Sequence, residues 1–130
     1  MFDQKARDFL KKPILARLST IDLDGYPHTV PVWYILEDDD IVFISVRDTR
    51  KVRNVIHNPK GAVTIGGELS DNGGYLVKGD LAIEENPPDE WVKKFCYHYE
   101  EKAKAEKDIA DWAELDIVLL RLKPKTVTKV

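Results

Sequence analysis

Apolar positions along this chain gather in short runs far more often than at helical spacing. Ile14 to Ile21, Tyr26 to Leu36, Ile41 to Val46, Ala62 to Ile65 and Tyr75 to Glu84 each read as a strand, by length and by aliphatic, β-branched and aromatic content. Leu115 to Leu122 and, after Pro124, Thr126 to Val130 predict two more. Turn chemistry separates these runs: Asp22-Leu23-Asp24-Gly25, with Gly25 free to take a positive φ, the acidic Glu37 to Asp40, and the glycine-rich segment 66–74. Pro27 and Pro31 cannot donate to a ladder, so the strand carrying them should be an edge, or be bulged or bent there.

Three stretches read as helices. Residues 3–12 place Phe2, Ala6, Phe9 and Leu10 at helical spacing before Pro13 stops them. A short helix after Val46 should bury Val52, Val55 and Ile56, an i, i+3, i+4 stripe, and end at Asn58-Pro59-Lys60-Gly61. Pro87-Pro88-Asp89-Glu90 opens the longest helix, which runs through Trp91, Phe95, Cys96 and Tyr99 to about Lys107. Six or seven strands, a short helix after the third and a longer one before the C-terminal strands predict a mainly β fold. A small barrel fits this order better than alternating βαβ units.

Composition narrows the class. At 130 residues the chain reads as a single domain, 1–130, able to bury roughly two-thirds of its unfolded surface. A net charge of -3 argues against general nucleic-acid binding. One cysteine, Cys96, allows no internal disulfide, and its place in an apolar helical stripe suggests packing rather than nucleophilic chemistry. No apolar run approaches the roughly 20 residues of a membrane span, and no signal-peptide core opens the sequence. A cytoplasmic protein with no membrane partner is expected.

The candidate chemistry lies where the Ile41–Val46 strand hands over to a helix. Ser45, Thr49, Arg50 and Lys51 converge there, and the first amides of a helix lack internal partners and carry partial positive charge. Such an end suits a phosphate. On the helical wheel Lys51 lies beside Val55 at the margin of the buried stripe, and Arg50 and Arg53 point further outward. Spacing alone serves a solvated basic face equally well. In Pro27-His28-Thr29-Val30-Pro31-Val32-Trp33-Tyr34, the break at Pro31 would free backbone groups to face a flat heterocycle. Trp33 and Tyr34 point to opposite faces, so one should pack inward and the other is free to meet a ligand or a partner subunit. His28, His57 and His98 have no metal-ligand spacing. Neither Ser19 nor Ser45 has a base beside it, and no residue reads as catalytic. A binding site without acid–base machinery favours a cofactor that brings its own chemistry.

Leu18-Ser19-Thr20, Gly25, Pro27-His28, Pro31-Val32-Trp33-Tyr34, then Ser45, Thr49-Arg50-Lys51-Val52-Arg53-Asn54 and Asn58-Pro59 together resemble the pyridoxamine 5'-phosphate oxidase-like flavin-binding proteins. The resemblance covers about residues 10–85. It implies a six-stranded split β-barrel, a homodimer with two FMN sites at the subunit interface, and flavin-dependent oxidoreduction of a small molecule. It places the backbone of Val30, Pro31, Val32 and Trp33 along the flavin ring, and Ser45, Thr49, Arg50 and Lys51 on the phosphate and ribityl chain. Ile44 completes the implied cofactor-binding set. Gly73-Gly74-Tyr75 stands where the true oxidases carry a glutamine, and Arg121 and Trp112 do not match their C-terminal substrate residues, so vitamin B6 oxidation is not implied. A branch close in these motifs uses the deazaflavin coenzyme, for whose longer anionic tail Arg47 and Arg53 could supply cations, or be plain surface charge. A non-catalytic module holding flavin or haem is a third reading.

Overall fold

Helix α1 (Gln4–Leu10) opens the chain, and the Asp3 carboxylate caps it by accepting from the Ala6 amide at 2.8 Å. The computed structural model describes residues 1–130. Strands β1 (Ala16–Ile21), β2 (Pro27–Val32), β3 (Tyr34–Glu37) and β4 (Asp40–Val46) follow, then helix α2 (Arg50–His57). Next come β5 (Lys60–Gly66), β6 (Gly74–Glu84), helices α3 (Glu90–Tyr99) and α4 (Lys102–Trp112), and β7 (Ile117–Lys129). Gly25 turns β1 into β2 with φ +89°, as its place in the hairpin requires.

All pairings are antiparallel, in the order β2-β1-β5-β6-β7-β4-β3. Consecutive strands β2 and β3 thus stand at opposite ends of the sheet, separated only by Trp33. Two peptide steps span at most about 7 Å, so the sheet must curl until its ends meet. Counted as one bent strand, β2 and β3 leave the six strands of a split barrel. The bend falls just after Pro31, where the ladder has lost a donor.

Inside the curl, Leu18, Val63, Val77, Leu120 and Leu122 meet Tyr34, Phe43, Phe2 and Leu10, and Val52 and Val55 of α2 enter the same core. A smaller cluster lies against the other face, where Ile35, Val42 and Leu119 take Phe95 of α3, with Trp33, Trp91 and Tyr99 around it.

Three details differ from the sequence reading. The longest helix is two, because the chain turns extended at Glu100 and restarts at Glu101, whose carboxylate caps α4 by accepting from the Lys104 amide at 3.2 Å. The two C-terminal strands are one. Pro124 is accommodated by a register shift at Lys78/Gly79, and a Cβ on Gly79 would collide with the Lys123 carbonyl. The third concerns α2. Ile56 is 65% exposed while Asn54 is buried, so the helix is rotated by roughly 70° from the apolar stripe. Asn54 explains the rotation: its amide donates to Thr20 Oγ1 at 3.1 Å and Asp22 Oδ1 at 2.8 Å, tying α2 to the end of β1. The same turn brings Lys51 inward.

Candidate cofactor-phosphate site

Ser45, the last but one residue of β4, is buried, and three residues separate it from the N-cap of α2, Thr49. Their hydroxyls lie 3.2 Å apart, and each donates to the Val46 carbonyl at 3.0 Å. Thr49 therefore spends its hydroxyl on the preceding turn and makes no side-chain cap. The first α2 amide with an acceptor is that of Arg53, which reaches the Thr49 carbonyl at 3.1 Å. The amides before it, at the positive end of the helix, remain available to an outside anion.

Lys51 supplies the charge. It is half-buried, it makes no ion pair or hydrogen bond with the chain, and burial pulls its pKa below the ordinary lysine value. The neighbouring arginines are engaged. Arg47 holds Asp116 at 2.7 Å and Glu85 at 2.5 Å, which raise its pKa further; Arg53 holds Asp48 at 2.7 Å.

A cavity of about 320 Å³ is lined by Ile44, Ser45, Val46, Thr49 and Lys51 together with Trp112, Leu115 and Ile117. Four of the residues singled out from the sequence are thus brought together. Arg50 is not among them: it turns to a second cavity with Arg53, Asn54 and His57, and its guanidinium stands 3.8 Å from Asp22.

Val30, Pro31, Val32 and Trp33 lie elsewhere, on the outermost strand and at its end. Val30 is half-buried, Pro31 is exposed opposite Arg17, and Val32 is buried opposite Ala16. Tyr34 packs in the core, while Trp33 stacks face to face on Tyr99, centroids 4.6 Å apart. The Tyr99 hydroxyl accepts from the Tyr34 amide at 3.0 Å and donates between the carbonyls of Ile14 (2.8 Å) and Tyr34 (3.0 Å). Some of the backbone freed at the bend is therefore taken by Tyr99. Trp33 also leans on Trp112, with 5.8 Å between centroids.

The profile of the pyridoxamine 5'-phosphate oxidase family matches residues 2–130. The chain belongs to that family. Solved structures repeat this family member's fold at low identity. An F420 reductase is 20% identical with a TM-score of 0.80, and 98% of each chain is covered. General stress protein 26 of Bacillus anthracis is 21% identical with a TM-score of 0.75, over 98% of this chain and 92% of that one. HupZ of Group A Streptococcus is 18% identical with a TM-score of 0.71, over 100% of this chain and 94% of that one. No curated protein sequence matches the chain.

In this pyridoxamine 5'-phosphate oxidase family member, Arg121 is not free for an anionic substrate. Glu84, Glu37 at 2.9 Å and Asp40 at 3.3 Å surround its guanidinium. No helix is long and apolar enough to cross a membrane. Sequence reading missed Trp112, Leu115 and Ile117 as site residues. They reach the cavity because β7 pairs with β4, setting Ile117 opposite Val46, and no spacing within the chain encodes that partnership.

Proposed function

We propose that this protein is an FMN-binding oxidoreductase acting on a small molecule. The observation that carries the reading is Lys51: a half-buried lysine with no counter-ion, beside two hydroxyls and a helix start with unpaired amides. An unpaired buried cation costs stability, and a phosphate placed there would repay it. The residues therefore fit the phosphate of FMN, with Ser45, Thr49 and Lys51 as its holders and Ile44 beside them. Bound FMN would supply the redox chemistry that no side chain here provides. The Val30–Trp33 backbone would then flank the ring, and two copies of a single domain, 1–130, would complete two sites at their interface. A reducing compartment such as the cytoplasm suits the buried free thiol of Cys96.

The deazaflavin coenzyme is the second reading, favoured by the fold shared with an F420 reductase. Against it, Arg47 and Arg53 are already paired with carboxylates and do not offer an open track for a longer anionic tail. Titration of the purified protein with each coenzyme, read by fluorescence quenching, decides between them. Tighter deazaflavin binding would replace FMN in this proposal, and binding of neither would end it. Flavin binding without any oxidation of NADPH in the presence of an added acceptor would favour a non-catalytic module.

A further inference from the structure

The cavity that holds Lys51 has a mixed lining, three polar side chains among five apolar ones. Ser45, Thr49 and Lys51, from β4 and the start of α2, are the polar ones; Ile44 and Val46 beside them, and Trp112, Leu115 and Ile117 from the end of α4 and the start of β7, are apolar. An inorganic anion needs only the polar three. The apolar five match a ligand that carries an apolar or flat portion beyond its phosphate.

Trp112 connects this cavity to the strand bend. Its ring leans on Trp33, which lies parallel to Tyr99, and hydrogen bonds to Ile14 and Tyr34 anchor the Tyr99 hydroxyl. The ladder Tyr99–Trp33–Trp112 thus runs from β2/β3 to the cradle on β4 and α2, the two places on which the FMN reading draws. An indole held in such a ladder is ordered before any ligand arrives, which lowers the entropic cost of stacking on it.

We infer that Trp112 is a specificity-determining residue of the cradle: it packs on the flat ring system that the ligand carries beyond its phosphate, and so selects a phosphorylated heterocycle over a bare phosphate. This rests on the FMN reading above.

Titration calorimetry of the full chain with FMN, riboflavin and inorganic phosphate tests it. In W112A, FMN affinity should fall by about tenfold and phosphate affinity should stay within about twofold. W112F, which keeps a flat ring, should recover most of the loss, whereas W112L, apolar but not flat, should not; these two carry the comparison if W112A does not fold. FMN binding by W112A or W112L within about twofold of the native protein overturns the role of Trp112 and leaves the FMN reading standing. Native protein that binds riboflavin as tightly as FMN, or binds neither, overturns the FMN reading and Trp112's role with it.

Discussion

Trp33 and Tyr99 lie face to face, 4.6 Å between ring centroids and 3° between planes. One ring sits at the bend between β2 and β3, and the other closes α3. The stack places the Tyr99 hydroxyl where the bend leaves the Tyr34 amide and carbonyl without ladder partners. Tyr99→Phe keeps the stack and removes the hydroxyl. It should destabilise the protein by about 1–3 kcal/mol, the cost of stranding buried backbone groups. Urea denaturation of the two proteins measures it.

Lys51→Met should separate stability from binding. Removing a half-buried, unpaired cation should leave ligand-free stability unchanged or raised, while FMN affinity falls by about ten- to a hundredfold with the loss of a charge-assisted contact. The pH dependence has a fixed sign. With the folded pKa of Lys51 below the unfolded one, the unfolded state holds more protons between the two values. The Lys51 contribution to ligand-free stability therefore rises with pH in that window, and affinity for a phosphate falls as the ammonium deprotonates. Calorimetric melts and FMN titrations across that range, native against variant, should move in opposite directions.

Asn54→Leu offers α2 an apolar residue where the buried amide now sits. It strips Thr20 and Asp22 of a donor, and we expect a loss of about 1–3 kcal/mol rather than a gain. Because Asn54 sets the helix rotation that brings Lys51 inward, FMN affinity should fall as well, although no cradle residue has changed. Denaturation and FMN titration of the same variant report both effects.

Gly79→Ala tests the junction between β6 and β7. Its Cβ would meet the Lys123 carbonyl, a backbone group that cannot swing aside. A loss of about 3 kcal/mol or more is expected, seen as a lowered urea midpoint.

Cys96 is buried, and burial, with Glu100 and Asp108 nearby, pushes its thiol up to about 11. The native protein at pH 8 should react negligibly with an aromatic disulfide reagent, and the urea-unfolded protein fully. With its folded pKa raised, the thiol's contribution to stability is present below the ordinary value of 9.0 and is lost as pH rises towards about 11. Cys96→Ala should flatten that part of the stability profile.

Much of this protein follows from local chemistry. The alternation and turn residues around Gly25 and the acidic Glu37–Asp40 place β1 to β4, and Pro13 and Asn58-Pro59 bound α1 and α2. The gathering of Ser45, Thr49 and Lys51 is legible for the same reason: a strand-to-helix junction and the polar residues at it are contiguous. The break at Glu100 was not legible, because a highly charged run gives no apolar period from which to tell one helix from two.

Tertiary structure decided the rest. An apolar stripe predicts which face of α2 is buried only when apolar contacts are the strongest available. Here the Asn54 bonds to Thr20 and Asp22 outweigh the burial of Ile56, and the helix turns. That rotation carries Lys51 from the margin into the buried face and sends Arg50 to another cavity. The pairing of β4 with β7 likewise sets Trp112, Leu115 and Ile117 against residues far from them in the chain. Sequence by itself determined which polar groups gather at the strand-to-helix junction; the packing of distant segments determined which of them face one another, because cross-strand partners and helix rotation depend on contacts that no local window contains.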